Sequence, residues 1–110
     1  MIHLRNIAFS FVVLLFTLIF STTASAARGV VALYSSSDSK IIIGTNMGYT
    51  CGKIMGYVYG VRRGNAVAGE LHSFGTHEIY DLNADVSFTI WIEKYWASED
   101  DALDWLERGY

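Results

Sequence analysis

The residues best equipped for chemistry gather in one stretch, Glu70, His72, His77 and Glu78, with a lone thiol, Cys51, upstream. Oxygen and imidazole ligands of this kind suit zinc. However, His-x-x-x-x-His-Glu is not an established ligand spacing and no second cluster completes a set, so a solvated loop accounts for the stretch more simply. Glu70 and Glu78 could act as a glycosidase-like carboxylate pair only at a fixed separation, which nothing in the sequence imposes. Cys51 lies between Thr50 and Gly52 with no histidine placed to activate it. It reads as a small buried packing residue, the alternative being a reactive or intermolecular thiol. No metal or cofactor site follows, and the chain is expected to be non-catalytic.

The element that must deliver these residues to their compartment is the N-terminus. Arg5 provides a positive start, Ile7 to Phe20 is apolar or hydroxylated throughout, and Ala24-Ser25-Ala26 is a small-residue cleavage site. As a helix that apolar run reaches about 21 Å, short of the ~30 Å hydrocarbon core of a bilayer. Residues 1–26 therefore read as a cleaved signal peptide and residues 27–110 as one small domain. Export to the periplasm is expected, with an extracellular location as the alternative.

Beyond the signal, 7 Lys and Arg stand against 11 Asp and Glu, a net charge of −4. A nucleic-acid partner needs a basic surface and is not expected. A single cysteine forbids an internal disulfide, so packing of large side chains such as Trp91, Trp96 and Trp105 must stabilise the domain. Self-association into a homo-oligomer would add to it.

Glycines recur at a strict spacing of four: Gly44, Gly48, Gly52, Gly56, Gly60 and Gly64. Both a helix and a strand would place such a row on one face. Ile41 to Arg63 is too long for one strand, so the spacing predicts a helix whose small-residue groove packs another helix. Each interior glycine costs about 1 kcal/mol relative to alanine, which tight packing would have to recover. A membrane-associated or envelope structural protein using this row to oligomerise is the alternative; Lys53 at the centre opposes it.

Arg62 to Asp85 reads as a loop region. Val86 to Trp96 alternates apolar and polar residues as a strand does, although a helix starting after Asn83 or Asp85 also fits. Ser98-Glu99-Asp100-Asp101 resembles a capping box, and Ala102, Leu103 and Leu106 form a stripe closed by Arg108-Gly109. A helix is predicted over Glu99 to Arg108, its acids forming a solvated face or, alternatively, a docking surface for a basic partner. The fold expected is mainly α. An α+β domain with a small antiparallel sheet over residues 66–96 is the alternative.

Met47 to Val61, MGYTCGKIMGYVYGV, is similar to the Cys and Gly-Tyr-x-x-Gly-Val element of the Rap/Tai proteins, exported immunity proteins that neutralise type VI secretion amidase effectors. Asp85-Val86-Ser87, then Ile92-Glu93-Lys94-Tyr95-Trp96 and the Ser98 to Arg108 segment, look like that family's later parts. The chain departs from the family in lacking further cysteines and any proline, with Tyr80-Asp81-Leu82-Asn83 where a Cys-x-Pro is usual. The resemblance implies a helical domain, with helix over Val86 to Trp96, that occludes the cleft of a cell-wall amidase. For such an inhibitor the polar-aromatic 70–81 segment is the natural inserted loop, with His72, Phe74, His77 and Tyr80 as anchors.

Overall fold

The computed structural model describes residues 27–109; the expected signal peptide, residues 1–26, lies outside the described residues. Six antiparallel strands close into a barrel in the spatial order β1-β2-β3-β6-β5-β4, followed by one helix. The strands are β1 (Ala27–Ser35), β2 (Lys40–Thr45), β3 (Gly48–Met55), β4 (Ala66–Gly69), β5 (Gly75–Asp81) and β6 (Val86–Ala97). The helix is α1 (Glu99–Arg108).

This architecture overturns the expectation of a mainly α domain. The small-sheet alternative over residues 66–96 is not matched either, because the sheet starts at Ala27 and closes through β1 pairing β4, Ala27 opposite Gly69 to Val30 opposite Ala66. The helix predicted over Ile41 to Arg63 is a hairpin and a loop. Ile41, Ile42 and Ile43 are β-branched and suit a strand, and β2 turns at Asn46 and Met47 into β3 with Thr45 opposite Gly48. The six glycines thus serve different ends. Gly44, Gly48 and Gly52 lie in strands, and Gly48 together with the loop residues Gly56, Gly60 and Gly64 has positive φ, which no helix accommodates. A Cβ on Gly52 would come within 2.6 Å of the Trp91 carbonyl oxygen, so glycine there permits β3 and β6 to lie close. Three of them fall in the β2–β3 hairpin and three in the loop after it, so the row forms no helical groove.

The barrel interior is filled by Val31, Ile41, Ile43, Ile54, Val67, Ile79, Phe88, Ile90 and Ile92, capped by Val61 and Leu71 from the loops. Outside, Ile42 and Cys51 sit opposite each other in register and are covered by Ala102 and Trp105 of α1. The helix occupies the span its sequence predicts. Ser98 accepts the Asp101 N–H at 3.1 Å, and Gly109, at φ 84°, donates to the Trp105 carbonyl at 2.7 Å. Trp105 Nε1 donates to Glu93 Oε1 at 3.0 Å, and Lys40 Nζ donates to the Leu106 carbonyl at 2.9 Å, anchoring the helix at both its side and its end.

Antiparallel order defines two ends. The upper end carries the β1–β2 turn, the long β3–β4 loop (56–65) and the β5–β6 turn; the lower end carries the β2–β3 turn, the β4–β5 loop (70–74) and the β6–α1 junction. Val86 to Trp96 is strand, as its alternation suggests and against the helix implied by the family resemblance.

Candidate functional site

The lower end is built by an irregularity in β6. Against β3, Gly52 faces Ile92, Cys51 faces Lys94 and Tyr49 faces Ala97, so β6 inserts an extra residue at each of two successive steps. Such bulges bend a strand and re-aim its side chains. Here they turn Tyr95 onto the barrel core and Trp96 outward, 55% exposed, with Trp96 at φ 56°. A bulky aromatic in the left-handed region costs about 1–2 kcal/mol and persists only where its surroundings impose it. The β2–β3 turn lies close against this backbone: a Cβ on Gly48 would lie 2.9 Å from both the Trp96 carbonyl carbon and the Ala97 oxygen.

Three other rings gather around this tryptophan. Tyr95 meets it edge-on at 5.3 Å between centroids, His72 at 6.0 Å, and Phe74 packs on Tyr95 at 4.7 Å. Such tilted and edge-to-face contacts each contribute about 0.5–1.5 kcal/mol beyond area burial. Phe74 is 65% exposed and Met47, on the adjacent turn, is exposed as well. A cleft of about 340 Å³ opens between Phe74, Lys94, Tyr95, Trp96 and Asp101.

The loop that presents Phe74 is braced from beneath. Thr50 Oγ1 donates to the Leu71 carbonyl at 2.8 Å, and His72 Nε2 lies 3.3 Å from Thr45 Oγ1. His77 Nε2 lies 2.8 Å from Ser73 Oγ and 3.2 Å from the Phe74 carbonyl oxygen. The serine contact has the length of a nucleophile–base pair. A carbonyl only accepts, however, so the tautomer that serves Phe74 carries its proton on Nε2 and cannot take one from Ser73. The contact is a brace on the loop.

Of the four residues predicted as anchors, His72, Phe74 and His77 share this end, with His77 facing inward as support. Tyr80 does not join them. Its placement on the 70–81 loop is corrected by the structure, in which only 70–74 is loop and 75–81 is β5. Tyr80 lies on the outer face near the upper end, and its hydroxyl donates to Asp85, a bond that raises its pKa. Tyr95, Trp96 and Lys94 were not expected as anchors, and Trp96, expected to pack inside, is instead exposed; the break in alternation after Ile92 was the available signal.

Among the described residues no three of His, Cys, Asp or Glu converge on a point that could hold a metal ion. Cys51 is fully buried, and burial pushes its thiol up to about 11, which favours its packing role over that of a nucleophile. No helix among the described residues is long and apolar enough to cross a membrane. The six glycines of the row lie in β2, β3 and the loop after them rather than on a helix. The barrel is apolar inside, and its outer face carries Lys53, Thr76 and Glu78 together with Val30, Met55 and Trp91. The chain matches no family model, no curated protein and no solved structure.

Proposed function

We propose that this chain is an exported binding protein that docks on a protein partner through the lower-end aromatic surface, with Trp96 and Phe74 as its anchors. The observation that carries this reading is Trp96 itself, half exposed and held at φ 56° where an unstrained strand would have been cheaper. Strain retained under an exposed aromatic fits a group whose position matters for recognition. Tryptophan and tyrosine dominate binding hot spots because they bury a large area at little entropic cost. The bracing of Phe74 by His77 and Ser73 supplies the preorganisation that such a surface needs.

The signal-like N-terminus supports an encounter in the periplasm or, alternatively, outside the cell. A cell-wall amidase is the first partner to test, because the resemblance of Met47 to Val61 suggests an immunity role, with inhibition by occlusion of the enzyme's cleft. Immobilised protein is exposed to soluble and detergent fractions of envelope extract from the native host. Retention of a cell-wall hydrolase that Trp96→Ala and Phe74→Ala each weaken by about 30-fold is the expected result, equivalent to a hot-spot loss of roughly 2 kcal/mol. Retention indifferent to both substitutions removes this surface from the proposal.

A further inference from the structure

The upper end carries a second concavity, unrelated to the aromatic surface. It lies between the β3–β4 loop and the β5–β6 turn, has a volume of about 320 Å³, and is lined by Tyr59, Gly60, Arg62, Asn65, Asn83 and Ala84. Its floor is rigid. Asp81, fully buried, accepts the Asn65 Nδ2 at 2.8 Å and the backbone N–H groups of Asn83 and Ala84 at 2.9 Å each. Asn65 Nδ2 also donates to the Gly60 carbonyl at 3.1 Å. The hollow exists because Gly60, at φ 94°, and Ala84 have almost no side chain; a Cβ on Gly60 would lie 3.2 Å from that of Ala84.

The polar capacity left over faces one kind of ligand. Asn83 Oδ1 is occupied by the Ala66 N–H at 2.6 Å, leaving its NH2 as a donor, and Arg62 lines the same hollow. Both NH2 bonds of Asn65 are used, leaving its oxygen as an acceptor. Among the described residues Arg62 is the one cation that lines the hollow, on a loop stretch from Met55 to Gly69 that carries no acid, while the facing turn carries Asp81, whose carboxylate is taken up by Asn65 and two backbone N–H groups, and Asp85. Tyr59, 76% exposed, forms an aromatic wall. A guanidinium fork and an amide suit a carboxylate or phosphate, the tyrosine suits the C–H face of a ring, and the Asn65 oxygen suits a hydroxyl. The volume is at the small end of ligand sites, enough for one ring rather than a folded partner. We propose that this pocket binds an acidic sugar ring, its acid group on Arg62 and Asn83 and its ring face on Tyr59.

The test is calorimetric titration of the full chain with trigalacturonate, its methyl ester, glucose 6-phosphate and hexaglutamate. Saturable binding of trigalacturonate or glucose 6-phosphate is expected, the responding ligand identifying the acid as carboxylate or phosphate. Arg62→Ala and Tyr59→Ala are each expected to weaken it by about tenfold, and Arg62→Lys, which keeps the charge but loses the fork, by less. Both residues are exposed, so the variants keep the fold, which circular dichroism checks; Trp96→Ala leaves this affinity unchanged. The proposal is overturned if the ester binds as well as the acid, if hexaglutamate binds equally well, or if neither sugar binds at up to about 10 mM.

Discussion

Trp96 offers a measurement in which the usual order of two substitutions should invert. Within a strand, alanine is more stable than glycine by about 0.5–1 kcal/mol, because glycine loses more backbone freedom on folding. At φ 56° the reverse strain applies, since a Cβ in the left-handed region costs about 1–2 kcal/mol. Trp96→Gly and Trp96→Ala discard the same indole and the same contacts with His72 and Tyr95. Their difference isolates the backbone, and glycine is expected to be the more stable by about 0.5–1 kcal/mol. Trp91 is the internal control. It lies in the same strand, is 47% exposed, and sits in regular register with Lys53 and Thr76, so Trp91→Ala should be more stable than Trp91→Gly by a similar amount. Urea unfolding of the four variants resolves such differences as midpoint shifts at constant slope. Equal stability of the two Trp96 variants, or alanine ahead, would falsify the claim that Trp96 is held under strain. The functional argument built on that strain would fall with it.

Gly52→Ala is expected to destabilise the barrel by about 2–3 kcal/mol, because the new methyl meets the Trp91 backbone oxygen rather than a movable side chain; a smaller loss in thermal unfolding would mean that β3 and β6 can separate there. Ser98→Ala removes the acceptor for the Asp101 N–H and should cost about 1 kcal/mol, seen as early loss of helical dichroism on heating. For Cys51 the sign follows from its raised pKa. The folded thiol keeps its proton to about pH 11, whereas the unfolded one ionises near 9.0, so its contribution is complete below pH 9 and is lost as pH rises towards 11. The wild type should therefore lose about 2–3 kcal/mol more than Cys51→Ala over that interval in denaturant titrations; parallel curves would show that the thiol is not buried as described.

Some of this protein was legible in its sequence because the relevant interactions are local. Helix α1 depends on Ser98, the acids after it, an apolar stripe and Gly109, all within one short segment, and it forms where those residues put it. The strand character of Val86 to Ile92 is likewise a period-two pattern of side chains on one element. Of the candidate surface, His72 and Phe74 were recognisable as polar-aromatic residues on a loop. Tyr80 was misplaced because β5 carries His77 and Asp81 on its inward side, where apolar residues would have marked it as a strand.

Barrel closure was decided by tertiary structure, since it depends on pairings between residues far apart, such as Arg28 with Ala68 and Gly52 with Ile92. Glycine spacing alone is compatible with helix or strand, and only the partner strand at Trp91 shows why Gly52 has no side chain. The outward turn of Trp96 has the same origin. It comes from two extra residues counted against β3, a quantity that exists only once two strands are in register. The sequence by itself determined composition, charge and the short elements whose stabilising contacts lie within a few residues. Register, closure and the aromatic surface rest on contacts that the chain makes only when distant segments meet.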